Sequence, residues 1–260
     1  MNLDGFESGL WLSALPPLLI AATLTWLLSL PLRNVSIAAP AWGLMLFAAG
    51  VWYALGSDPR APRLSPVLWL CAVWAARLSW HVGTRDSGTE DRRLRELRAR
   101  HDPNFALKSL YLLFLPQAFA AWFISLPLLG AFSSIRPIGW LDLAAGGLCL
   151  AGFIIEACAD WQLRRFRSRS AGGGEVLDRG LWRYSRHPNY FGECCVWWGF
   201  WLFAVAAGAW WSWPAPLLLT WLLLRVSGVP AAEREAGNRR PQYADYVLKT
   251  NAFFPGRRRK

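Results

Sequence analysis

Apolar windows of about 20 residues recur along the chain, and each is long enough to cross a hydrocarbon core of about 30 Å. The runs are continuous and do not alternate, which excludes a membrane β-barrel. Of 260 residues, 54% are hydrophobic and 17% charged, less charge than a soluble domain of this length carries. The expected fold is all-α, one integral membrane domain over residues 1–260 built as a bundle of seven transmembrane helices. The spans fall near residues 9–30, 37–55, 64–82, 109–131, 138–159, 194–209 and 213–229. The last apolar stretch is too long for one span, and the Pro- and Trp-rich turn from Gly208 to Pro216 divides it. Its tryptophans suit a membrane–water interface. Asp4 and Glu7 precede the first span, so it lacks the basic flank of a signal peptide and reads as a mature helix.

A net charge of +11 raises the question of nucleic-acid binding, but topology accounts for it. With seven spans and the N-terminus outside, one face of the membrane holds all but four of the 28 Lys and Arg residues. The exceptions are Arg60, Arg63, Arg136 and, within span three, Arg77. This positive-inside bias places the C-terminus in the cytoplasm. The terminal Arg257-Arg258-Arg259-Lys260 is expected to be a solvated tail near anionic headgroups. Cys71, Cys149, Cys158, Cys194 and Cys195 lie in or beside apolar runs without a C-x-x-C spacing, so neither a disulfide framework nor a metal site is expected.

Three segments on the basic face are polar enough to carry chemistry: 82–108, 160–193 and 230–260. In the first, Leu94 and Leu97 sit amid charge, as in a short helix lying on the membrane surface. In the second, Asp160, Arg164 and Arg167 share one helical face, with Arg164 placed to pair with Asp160. Ala171-Gly172-Gly173-Gly174-Glu175 reads as a plain turn, since no helix opens after it to cradle phosphate. The most informative stretch is Arg183-Tyr184-Ser185-Arg186-His187-Pro188-Asn189-Tyr190-Phe191-Gly192-Glu193. It sets a dense array of hydrogen-bonding groups against the apolar run that starts at Cys194. Polar groups at a bilayer edge mark functional sites, and this set suits a polar, anionic cofactor at the mouth of a membrane cavity.

Residues Gly180 to Glu193 resemble the C-terminal signature of steroid 5α-reductases and their bacterial relatives. The resemblance extends to an uncharacterised bacterial branch that carries Ser-Gly-Val-Pro after the last span, here Ser227 to Pro230. That branch continues with a tail like Arg240-Pro241-Gln242-Tyr243-Ala244-Asp245-Tyr246 and Thr250-Asn251-Ala252-Phe253-Phe254-Pro255. The match runs from about residue 75 to 256 and is densest over 156–256. It implies a cytoplasm-facing cavity for NADPH in a bacterial inner-membrane protein. Asp160, Asn189 and Glu193 stand where the reductases line the cofactor, and Arg164 and Arg167 where they meet its phosphates. Guanidinium forks suit that role. The same site is expected to include Tyr184, Arg186, His187 and Tyr243.

The resemblance implies NADPH-dependent reduction of a C=C bond conjugated to a carbonyl, in a lipophilic small molecule that enters from the bilayer. The reductases polarise the carbonyl with a Tyr on span three and a Glu on span two. Here the Tyr position falls on Val82, and span two holds no acid. His81, Tyr53 and Tyr111 are the candidate replacements. Membrane isoprenylcysteine carboxyl methyltransferases share the core Arg186-His187-Pro188-x-Tyr190-x-Gly192, which carries an alternative cofactor, S-adenosylmethionine. Their paired glutamates after the last span compare with Glu233 and Glu235, here split by Arg234. A third reading is a non-enzymatic lipid-binding protein.

Overall fold

A computed structural model of the chain describes residues 6–85, 90–169, 175–226, 228–239 and 242–259. Every regular element among them is helical. Five helical stretches are long and apolar enough to cross a membrane: Ser8–Leu32, Val35–Gly56, Phe105–Phe132, Trp140–Arg169 and Pro188–Ala207. They coincide with five of the seven expected spans. The expected third span is a 20-residue helix, Leu64–Gly83, which carries Arg77 and His81 and is not among the five. The expected seventh is an eight-residue helix, Pro214–Trp221, followed by a π-helical segment, Leu222–Val226. The expected turn from Ala171 to Gly174, with Ser227, Arg240 and Pro241, lies outside the described residues.

The chain divides into two compact units, Met1–Gly139 with Phe203–Ala215, and Trp140–Leu202 with Pro216–Lys260. In the first unit, α1 (Ser8–Ser13) leads into α2 (Leu15–Leu32), whose opening prolines occupy first-turn positions where an N–H would be unsatisfied anyway. Arg33 in the left-handed conformation ends α2. Asn34 then accepts from the Ser36 N–H and turns the chain into α3 (Ala38–Gly56). Helix α4 (Leu64–Gly83) packs antiparallel to α3, with Ser79 donating to the Pro40 carbonyl at 2.7 Å. Buried Arg63 opens α4 and donates to the Arg136 and Pro137 carbonyls at 2.8 and 3.1 Å. Charge is tolerated there because both guanidinium arms are hydrogen-bonded.

Helix α5 (Arg92–His101) is the expected short polar helix, and it is pinned to the bundle. Asp91 caps it by accepting from the Arg93 N–H, and Glu90 pairs with Arg98 at 2.6 Å while accepting from the Val35 N–H. Helix α6 (Phe105–Ser109) continues through a π-helical segment, Leu110–Phe114, into α7 (Leu115–Ile124) and then α8 (Leu126–Phe132). The π segment ends just before Pro116, whose missing N–H leaves a carbonyl without its helical donor.

In the second unit, α9 (Trp140–Arg169) meets the first part of α10 (Pro188–Ala207) at unusually short range. A methyl group added to Gly192 would lie 2.6 Å from the Glu156 nitrogen and the Gly152 carbonyl, and one added to Gly152 would lie 2.6 Å from the Gly192 carbonyl. One helical repeat further, Gly199 faces Cys149 and the Ala145 carbonyl, and the Cys149 thiol donates to the Val196 carbonyl at 3.4 Å. Small residues at such a seam let membrane helices associate through dispersion contacts. Helix α11 (Pro214–Trp221), α12 (Val229–Arg239) and α13 (Tyr243–Lys249) follow. All five cysteines are free.

The seam has a direct test. Gly192→Ala must push α9 and α10 apart or strain them, which costs about 1–3 kcal/mol for an overpacked contact. A lowered melting temperature of the detergent-purified protein is expected. An unchanged melting curve would show that the backbones do not approach this closely.

Candidate functional site

The second unit gathers the polar residues of α9 and of the signature. Segment 175–187 folds back along the end of α9. Leu177 and Trp182 pack on Ala159, the Trp182 indole donates to the Ala159 carbonyl at 3.1 Å, and the Leu181 N–H donates to the Gln162 side chain at 3.0 Å. This return brings the start of α10 beside Asp160. The Asn189 amide donates to the Asp160 carboxylate at 3.1 Å. A carboxylate only accepts, so the Asn189 nitrogen faces it and the amide oxygen faces away. That oxygen is buried and has no hydrogen-bond partner among the described residues. A buried acceptor left this way costs about 1–3 kcal/mol until a donor arrives.

Two further acids flank this pair. Glu193 lies one turn beyond Asn189, and Glu156 lies one turn before Asp160 against Gly192. Glu156, Asp160 and Glu193 are each at most 6% exposed. Sequence reasoning named Asp160, Asn189 and Glu193; the structure joins Asp160 to Asn189 by a hydrogen bond and buries Glu193 one turn further along α10. It missed Glu156, whose signal was an acid inside an apolar span. Arg164 and Arg167 are exposed, one and two turns outward along α9. No contact between Arg164 and Asp160 is among those described, and Asn189 is a partner of Asp160.

Arg186 and His187 face the C-terminal helices. The Arg186 guanidinium donates to Glu233 at 2.8 Å and to the Val247 and Thr250 carbonyls at 2.9 and 2.7 Å. His187 Nε2 lies 3.3 Å from the same Glu233 oxygen, and its ring stacks on Tyr190. Among the described contacts, Arg186 therefore acts as a clamp within the protein. The hydrogen bond from His187, together with that from Arg186, holds Glu233 below the ordinary carboxylate range in spite of its partial burial. Tyr243 is buried beside Tyr246, and the Tyr246 hydroxyl donates to the Trp182 carbonyl. Tyr184 is 48% exposed.

The segment after α13 runs along the signature. The Arg186 N–H donates to the Asn251 carbonyl, the Ser185 hydroxyl to the Phe253 carbonyl at 2.7 Å, and the Gly256 N–H to the Tyr184 carbonyl. Phe253 and Phe254 pack edge-on against Phe191. Arg258 pairs with Asp178 at 3.0 Å. The basic terminus expected to be a solvated tail is thus held in place through Arg258.

The three candidate catalytic residues lie in the first unit and are not drawn together there. Tyr53 is fully buried, with its hydroxyl 3.1 Å from Ser125 Oγ. His81 sits at the opposite end of the antiparallel α3–α4 pair, about 20 Å away at 1.5 Å per residue. Tyr111 is 57% exposed. A cavity of about 230 Å³ lies between the start of α3, the end of α4 and the start of α5. Its walls include Asn34, Ser36, Pro40, Val82, Arg85 and Asp91, with Arg85 and Asp91 paired at 3.1 Å. No cluster of His, Cys, Asp and Glu suited to a metal occurs among the described residues.

Residues 25–250 match the family described as protein of unknown function, DUF1295, and the chain belongs to it. This is the steroid 5α-reductase-like family to which the signature points. An uncharacterized protein of Schizosaccharomyces pombe is 26% identical over 289 aligned positions, covering 98% of this chain and 80% of the yeast chain. No solved structure matches significantly.

The clamp has a pH signature. Because the folded-state pKa of Glu233 is lowered, its stabilisation is present above the unfolded value and lost as pH falls through the folded one. Glu233→Gln is expected to lower the melting temperature at neutral pH. The gap from wild type should close on acidification below about pH 4.3, the ordinary glutamate value. A gap that persists unchanged at pH 3 would remove ionised Glu233 from the clamp.

Proposed function

We propose that this protein is an NADPH-dependent membrane reductase of a C=C bond conjugated to a carbonyl, acting on a lipophilic substrate. The observation that carries the reading is the Asn189–Asp160 pair with its unpartnered amide oxygen. That oxygen fits a carboxamide N–H, and the flanking acids fit ribose hydroxyls, which donate. Arg164 and Arg167, exposed about 6 and 10 Å further along α9 at 1.5 Å per residue, fit the phosphates. The order along one helix is thus acceptors deep and cations outward, the polarity of a dinucleotide entering by its nicotinamide end. NADPH would supply the hydride for the β-carbon, while the α-carbon takes a proton that comes ultimately from water. The protein orients the reactants and keeps water away from them.

One observation favours the second reading, an S-adenosylmethionine-dependent methyltransferase. Glu233, one of the two glutamates after the last apolar run, meets Arg186 and His187 of the shared Arg-His-Pro core. Titrating NADPH, NADH and S-adenosylmethionine into the purified protein separates the readings. We expect NADPH to bind. Asn189→Ala and Arg167→Lys are each expected to weaken it by about 1–3 kcal/mol, the cost of a lost hydrogen bond to a charged or buried partner. Binding of S-adenosylmethionine alone would overturn the reductase reading, and unchanged affinity in both variants would remove α9 and α10 from the site.

The same proposal includes seven spans, Leu64–Gly83 and the stretch that begins at Pro214 completing the five, in a bacterial inner membrane with the N-terminus outside and the site facing the cytoplasm. A fluorescent protein fused after Lys260 is expected to fluoresce and an alkaline phosphatase to stay inactive. An active phosphatase would invert the topology.

A further inference from the structure

We propose that the cavity between α3, α4 and α5 holds the headgroup of an anionic phospholipid drawn from the surrounding bilayer. The site lies in the first unit and does not depend on the reductase reading. Its walls are of two kinds: Ile37, Val82 and Leu94 are apolar, while Asn34, Ser36 and Arg85 are polar. At about 230 Å³ it falls below the roughly 300–1,000 Å³ of pockets for drug-sized ligands, so it suits a headgroup and not a whole dinucleotide. Hydrogen bonds around it fix its shape. Ser79 on α4 donates to the Pro40 carbonyl on α3 at 2.7 Å. The Asp91 N–H donates to Ser36 Oγ at 2.7 Å, and Glu90 accepts from the Val35 N–H at 3.1 Å. The start of α5 is thereby fastened to the start of α3, and the pocket is preformed.

Charge selects the class of ligand. Helix α5 carries five arginines against one glutamate. The acids nearest the cavity are already engaged. Asp91 accepts from the Arg85 guanidinium and the Arg93 N–H, and Glu90 accepts from Arg98 and the Val35 N–H. Arg92 and Arg95 are exposed on the first turns of α5, and Arg33 is exposed at the end of α2. Basic pockets among membrane helices take anionic headgroups, and a guanidinium fork matches phosphate oxygens. What adjoins the cavity favours a lipid over a soluble phosphate. Leu32 ends α2 two residues before Asn34, and Trp80 stands two residues before Val82 on α4; both are exposed. A tryptophan at a helix end marks the headgroup level, and the apolar surface beside it suits acyl chains.

The test uses delipidated full-length protein in detergent, titrated with phosphatidylglycerol or phosphatidylcholine, with bound lipid counted by native mass spectrometry. Both lipids carry the phosphate, and only the first is anionic. Wild type is expected to bind a single phosphatidylglycerol at least about tenfold tighter than phosphatidylcholine, the scale of one to two arginines at about fivefold each near a membrane surface. Ala39 is exposed on the cavity wall in the first turn of α3, so Ala39→Trp fills the space. It should abolish the preference without lowering the melting temperature measured before lipid is added. Arg85→Gln should cut the ratio of the two dissociation constants by about fivefold, a readout independent of the folded fraction. Absence of a preference in wild type overturns the proposal, as does an unchanged ratio in either variant. Binding of sn-glycerol 3-phosphate as tight as that of the lipid would give the cavity to a soluble phosphate. Displacement of phosphatidylglycerol by NADPH would give it to the cofactor. Either result overturns the lipid site.

Discussion

Gly152 and Gly192 let two helix backbones touch, and that contact decides where the acids of the second unit stand. Side chains at the seam would hold α9 and α10 several ångströms further apart, and Asn189 would no longer reach Asp160. The short approach also shields Glu156 and Glu193 from water. A carboxylate in such surroundings keeps its charge only with hydrogen bonds or a counter-charge close by. The glycines therefore do more than pack: they set where the buried acids of the two helices stand.

A second layer of contacts supports the first. Glu233 joins α12 to the Arg186–His187 pair, and Arg186 extends the grip to the carbonyls that end α13. None of these groups needs to touch a ligand to matter. They fix the turn that delivers Pro188 and the first residues of α10, and the position of Asn189 follows from that turn. In the first unit the equivalent work is done by Arg63, which ties the end of the Phe132–Gly139 stretch to the start of α4, and by Glu90, which ties α5 to the turn after α2.

The helices were legible in the sequence wherever apolar length alone specifies a span. Leu64–Gly83 is the helix read at 64–82, but Arg77 and His81 lower its hydropathy below that of the five, and in 213–229 the prolines and the π-helical segment break the pattern. Asp160, Asn189 and Glu193 could be read because polar groups at the edge of an apolar run are rare enough to stand out. Glu156 was visible as an acid inside an apolar span but not as a neighbour of Gly192, since nothing in a linear pattern tells which side of a helix meets a glycine seam. Arg186 was legible as a functional type but not as a clamp, because its partners arrive from more than 45 residues away. Tyr53, His81 and Tyr111 were chosen by residue type alone, and type does not bring groups to one place.

The segment that follows α13 lies along the signature through backbone atoms, at Asn251, Phe253 and Gly256. Ser185 finds its partner 68 residues downstream. During synthesis the signature is therefore made long before the chain that completes it. A nascent protein that has already inserted α9 and α10 still lacks the lining of its own turn. Membrane insertion and completion of this turn are in this sense separate events, and the second waits for residues 251–256 to leave the ribosome.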